Sequence, residues 1–137
     1  MRNEAQLAAL RAFADKLDGP ASPVRKYTPK DAVTDSVIET LTVFATPHKE
    51  IQLLQRTFPE VLVPIRKPHN VRAFDTLFCD EPSHHDGDGK AYAGYGIDPA
   101  VGCVIVARPD QYVSGVFGLD EFERVAQFFD GFMVAQK

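Results

Sequence analysis

The side chains suited to acid–base or metal chemistry gather in one polar stretch, Asp80-Glu81-Pro82-Ser83-His84-His85-Asp86-Gly87-Asp88-Gly89-Lys90. Imidazole and carboxylate are the usual general acids and bases, and the usual ligands of divalent ions. His84 and His85 with Asp80, and the phenol of Tyr95 just beyond, therefore form the candidate catalytic set. Spacing argues against a metal. Adjacent histidines seldom turn to one ion, and an EF-hand register started at Asp86 would place Ala91 where Gly is required and Ile97 where a bidentate Glu is required. The plainer reading is a solvated loop, and no metal site is expected. His48 and His69 read as surface or capping residues.

The two cysteines, Cys79 and Cys103, form neither a CxxC pair nor a zinc spacing. A disulfide oxidoreductase needs its thiolate at the N-terminus of the helix after the first strand, where the helix dipole lowers its pKa. This chain has Ala45-Thr46-Pro47-His48 there. Cys103 lies in an apolar run and reads as a small hydrophobe, and Cys79 adjoins Asp80 and Glu81, whose charges oppose a thiolate. Neither suits a nucleophile. A dinucleotide site needs Gly-x-Gly-x-x-Gly between a strand and a helix; only Gly94-Tyr95-Gly96 comes near it, with Pro99 following. No cofactor is expected.

The elements that must position these groups centre on Tyr95 to Leu119. Cys103 to Ala107 is an unbroken apolar row, which predicts an interior strand buried on both faces. Arg108, Pro109, Asp110 and Gln111 reverse the chain, with Arg108 and Asp110 fixing the turn through an ion pair and turn hydrogen bonds. Tyr112 to Phe117 returns as a thinner edge strand, with Ser114 and Gly115. Asp120 and Glu123 then form a capping-box pattern ahead of Phe122, Val125, Ala126, Phe129, Phe132 and Met133 at helical spacing. Upstream, Asn3 or Gln6 caps a helix carrying Leu7, Leu10, Phe13, Ala14 and Leu17, and Gly19-Pro20 ends it. Residues 19–36, with three prolines between basic residues, predict an extended connector. Val37 to Ala45 predicts a strand, His48 to Arg56 a helix, Val61 to Ile65 a short apolar connection, Val71 to Cys79 a weaker strand, and Lys90 to Tyr95 a short helix. Without its first helix the order is β-α-β then β-β-α. That is the order of a thioredoxin-like α/β fold, a central mixed sheet with flanking helices, here with an extra N-terminal helix.

At 137 residues and 45% hydrophobic content, the chain predicts a single domain over 1–137: helix 1–18, connector 19–36 and core 37–137. A net charge of −4 and a pI near 5.5 exclude a basic nucleic-acid surface. No apolar stretch approaches the ~18 residues of a membrane span, and Glu4 interrupts any signal-peptide pattern, so a cytoplasmic protein is expected.

Several motifs carry a resemblance. Tyr95-Gly96-Ile97-Asp98, Gly102, Arg108-Pro109-Asp110-Gln111-Tyr112-Val113-Ser114 and Phe128-Phe129-Asp130-Gly131-Phe132 look like the C-terminal thioredoxin-like domain of FAD-dependent phenol 2-monooxygenases. Lys26-Tyr27-Thr28-Pro29, Asp35-Ser36-Val37-Ile38 and Phe78-Cys79-Asp80-Glu81 fit the same family in the same order, so the resemblance covers nearly the whole chain. It implies a domain used for subunit association beside a flavin-binding domain, and the parent activity does not transfer with it.

Two function classes follow. One is a redox-inactive association module, forming a homodimer or binding a flavin monooxygenase. The closing helix, with Phe128 about 100° around from Phe129, has more apolar surface than one sheet can cover. Phe128, Phe129 and Phe132, with Leu10 and Phe13 of the first helix, are the expected association residues. The alternative is a small cofactor-free enzyme acting on an aromatic or polyketide-derived molecule, with His84 and His85 as acid and base.

Overall fold

The computed structural model describes residues 4–51, 58–83 and 89–136. Helix α1 (Glu4–Leu17) turns Phe13, Ala14 and Leu17 inward. Of the two expected caps, Asn3 lies outside the described residues, and Gln6 lies inside the helix, where its side chain donates to the Pro99 carbonyl far along the chain. The connector is not extended throughout. It contains a short helix, α2 (Pro23–Tyr27), because Ser22 accepts a hydrogen bond from the Arg25 amide at its N-cap and Pro23 occupies the first turn, where a missing amide costs nothing. The prolines read as helix breakers therefore include a helix starter.

Strand β1 (Thr42–Phe44) is shorter than the expected 37–45 strand and pairs in parallel with β4 (Leu77–Cys79), Val43 opposite Phe78. Helix α3 (His48–Ile51) follows β1, and the rest of the helix expected to Arg56 lies outside the described residues. The strand expected over Val71 to Cys79 is split. β2 (Ile65–Arg66) and β3 (Val71–Arg72) make a small hairpin, and a 3-10 turn over Phe74–Thr76 separates it from β4. Helix α4 (Ala91–Gly94) lies within the expected 90–95 span.

The closing hairpin pairs β5 (Val104–Ala107) with β6 (Val113–Phe117), with a register shift between Val106 and Ala107. A Cβ at Gly115 would come to 2.7 Å from the Phe117 ring, so the missing side chain is the space that ring fills. Helix α5 (Phe122–Asp130) begins without the expected Asp120/Glu123 capping box. Glu121 instead reaches back to the Gly118 amide (2.7 Å), which satisfies a donor in the turn entering the helix.

Among the described residues, the expected single central sheet is replaced by three two-stranded sheets in a mixed α/β architecture. One contact explains why β1 and β5 stay apart. The Phe44 carbonyl accepts from the Asp80 amide on the β4 side, so by alternation the Val43 carbonyl faces the other edge, where the Tyr92 hydroxyl donates to it (2.7 Å). That edge is occupied by a side chain rather than by a strand. β5, expected to be buried on both faces, is only half-buried and pairs with β6 alone.

The core is shared by α1, α2, β1, α3, β4, the closing hairpin and α5. Phe13, Leu17, Val24, Phe44, Ile51, Phe58, Leu62, Leu77, Phe117 and Val125 form one buried cluster. Its deepest segment is the apolar connection Val61–Val63, fixed by Thr76, whose hydroxyl donates to the Leu62 carbonyl at 2.7 Å. Arg25 binds Asp18 at 2.6 Å and Thr34 at 3.3 Å, and Thr34 in turn donates to Glu60 at 2.9 Å, so the connector is held to that segment by a polar lattice. Among the described residues, no helix is long and apolar enough to cross a membrane.

Replacing Thr76 by Val keeps the shape but leaves the Leu62 carbonyl without this buried donor, and is expected to cost about 1–3 kcal/mol. Urea unfolding of Thr76→Val measures it, and an unchanged midpoint would show that the bond does not hold the segment.

Candidate functional site

Asp80 follows β4 and holds the start of α4. Its two carboxylate oxygens accept from the Ala91 amide (2.7 Å) and the Tyr92 amide (3.0 Å). The two bonds fix the carboxylate's orientation and leave each oxygen one further acceptor site. Tyr92 carries the next link, to Val43, and its phenol is pushed up chiefly by burial, which keeps the proton it donates. Tyr95 terminates α4 and is two-thirds exposed. His84, His85, Asp86 and Asp88 lie outside the described residues. The stretch re-enters at Gly89, whose positive φ lets the backbone pass so close to Glu81 that a Cβ would meet the Glu81 carbonyl carbon at 2.8 Å.

Glu81 faces the start of α3, where His48 Nδ1 meets its carboxylate. That hydrogen bond is the main reason the Glu81 carboxyl lies below the usual carboxylate range. Both thiols are shifted upward. Burial dominates for Cys79, with the Glu81 charge adding to it, and burial alone acts on Cys103. Among the described residues, no three His, Cys, Asp or Glu side chains cluster as metal ligands would.

The Arg108, Pro109, Asp110 and Tyr112 group lies together at the hairpin tip. Arg108 binds Asp110 at 2.8 Å, the Gln111 amide donates to the Arg108 carbonyl at 2.8 Å, and the Arg108 guanidinium sits 6.0 Å from the Tyr112 ring. Gln111 takes the left-handed conformation that closes the turn. The whole group is solvent-exposed.

The association residues separate into two environments. Phe13 is buried edge-to-face on Phe122 (5.9 Å), and Leu10 packs against the core, so α1 covers α5 within one chain. Phe128 contacts Phe117, Phe129 and Phe132 at 5.9, 5.7 and 5.4 Å, and of these only Phe132 is largely exposed. Between β1 and β5 opens an apolar cavity of about 1390 Å³, lined by Phe13, Val43, Tyr92, Ile105, Phe128 and Phe129 among others.

One polar cluster was not singled out from the sequence. Asp130, at the end of α5, accepts from both the Tyr27 hydroxyl and Lys26 Nζ (2.9 Å to Lys26), and the Gln136 amide donates to the Lys26 carbonyl at 3.0 Å. The signal was present in Lys26-Tyr27-Thr28-Pro29 and Phe128-Phe129-Asp130-Gly131-Phe132, two motifs a hundred residues apart that meet here.

Among the described residues the chain is a mixed α/β domain of three two-stranded sheets and five α-helices. The family model of the phenol hydroxylase C-terminal dimerisation domain matches residues 1–137, and the chain belongs to that family. It is 37% identical over 111 residues to the FAD-dependent monooxygenase terD of Aspergillus terreus, a match covering 81% of this chain and 18% of that protein. It is 30% identical over 132 residues to a 3-hydroxybenzoate 4-monooxygenase of Comamonas testosteroni, covering 96% of this chain and 20% of that protein. With the phenol 2-monooxygenase fsqG of Aspergillus fumigatus it shares 38% identity over 56 residues, 41% of this chain and 10% of that one. The chain thus spans a fifth or less of these relatives.

The bonds from Tyr27 and Lys26 hold the Asp130 carboxyl below the usual carboxylate range. The folded state therefore favours the carboxylate: this contribution is complete above the ordinary Asp pKa of about 4 and is lost as pH falls through the depressed folded value. Asp130→Asn is expected to lose less stability than the parent chain between about pH 5 and pH 3, measured as urea midpoints. Parallel curves would refute the linkage.

Proposed function

We propose that the chain is a redox-inactive, thioredoxin-like association module of flavin-dependent aromatic hydroxylases, joining a second copy of itself or a flavin monooxygenase polypeptide. The observation that carries this reading is the occupation of Asp80. The one described carboxylate of the candidate catalytic set spends both oxygens on the backbone of α4, and neither thiol lies where a helix dipole would activate it. The family description adds the association role. The thioredoxin-like part rests on element order: β1, α3, β4, α4, β5, β6, α5, with β1 parallel to β4 and β5 antiparallel to β6. Setting β5 beside β1 gives the strand order β4-β1-β5-β6 of that fold.

Sedimentation at micromolar concentration is expected to give a dimer, and insulin disulfides are expected to survive incubation with the protein and dithiol. A monomer that captures no flavin monooxygenase would end the association reading; insulin reduction lost in Cys103→Ser would end the redox-inactive one.

The cavity between β1 and β5 favours a second reading, a cofactor-free enzyme for an aromatic or polyketide-derived molecule, since an apolar space of that size takes fused rings. His84 and His85 would act as acid and base. Replacing both by Ala should then abolish turnover while moving stability by no more than about 0.5 kcal/mol. Unaltered turnover removes the histidines from the site.

A further inference from the structure

The size of the cavity between β1 and β5 sets a lower bound on what can fill it. An apolar space of ~150 Å³ takes one benzene ring, whereas this one is about 1390 Å³. A single-ring phenol would fill about a tenth of it. The walls include the rings of Phe13, Phe44, Phe128 and Phe129, and Phe128 meets Phe129 edge-to-face at 5.7 Å, a corner that suits a flat aromatic partner. Several fused rings fit such a space.

Charge narrows the class. Among the described residues the lining holds four carboxylates, Glu4, Asp35, Glu39 and Glu50, against one cation, Arg108. Asp35 is already bound to Arg66, and Arg108 is bound to Asp110 at 2.8 Å. A ligand carboxylate would therefore lose water among like charges without gaining a counter-ion of its own. A neutral molecule avoids both penalties.

Hydrogen bonding defines the polar end of the ligand. The Tyr92 hydroxyl, on the same lining, commits its one proton to the Val43 carbonyl at 2.7 Å. Its oxygen can then only accept. That complements a ligand O–H and offers no donor to a ligand carbonyl or carboxylate.

We propose that this cavity binds a neutral, hydroxylated polycyclic aromatic molecule, whose hydroxyl donates to Tyr92, and that it discriminates against aromatic carboxylates and single rings. The inference rests on the cavity that favours the enzyme reading and names its ligand. It requires neither turnover nor the loop histidines.

The test uses the full chain, titrated by fluorescence at pH 7 with 9-phenanthrol, phenanthrene and phenanthrene-9-carboxylate, and with phenol as competitor. 9-Phenanthrol should bind at one site, the carboxylate at least about tenfold more weakly, and phenol at least about a hundredfold more weakly. Tyr92→Phe should weaken 9-phenanthrol several-fold and leave phenanthrene unchanged, because only the first loses a hydrogen bond. In the parent chain, bound 9-phenanthrol should slow iodoacetamide labelling of Cys103, which lines the cavity, and leave Cys79, which does not, at its own rate. This thiol measurement decides the matter if Tyr92→Phe fails to fold. Absent binding of 9-phenanthrol, equal affinity for the carboxylate, or equal protection of both thiols would overturn the inference. 9-Phenanthrol that is bound and recovered unchanged supports it and counts against the enzyme reading alone.

Discussion

The Asp130 carboxylate ties the two ends of the chain's helical layer together. It receives the Tyr27 hydroxyl and the Lys26 ammonium at once, and so fastens the end of the last helix to a helix in the connector. Tyr27 is almost wholly buried, and a buried hydroxyl without an acceptor is costly. Asp130 is thus required as much by the Tyr27 phenol as by the Lys26 charge. With that bond closed, α1, α2 and α5 stand together, Lys16 reaches Glu123, and Phe13 meets Phe122.

The second organising feature is the use of polar side chains as fasteners between elements. Asp80 holds α4 to β4, Tyr92 holds α4 to β1, Thr76 holds the 3-10 turn to Leu62, and Glu121 holds the α5 entry to Gly118. Each link joins a side chain to backbone, so each contact fixes position with little freedom left for chemistry.

Element types and their order were legible in the sequence wherever apolar periodicity or turn chemistry was strong, as in α1, the β5–β6 hairpin and α5. Pro23 was taken for a breaker because its neighbours are also prolines, although a Ser directly ahead of it makes it a helix start. The double-sided burial of β5 was inferred from composition, which registers that a face is apolar but not which chain covers it. The expected single sheet is divided into three among the described residues, with the free edge of β1 met by a phenol from 49 residues away, a contact that no local pattern encodes. Asp80 was recognised as special for its neighbours, the histidines, whereas its partners are two amides.

The Tyr92 hydroxyl also has a consequence for how copies of this chain behave when crowded. An open strand edge offers unpaired amides and carbonyls to any extended segment that drifts past, and linear growth of one molecule on the next begins there. By occupying the Val43 carbonyl, Tyr92 acts as a stopper on β1. It takes up the acceptor that a foreign strand would need at this edge, which opposes edge-to-edge growth there.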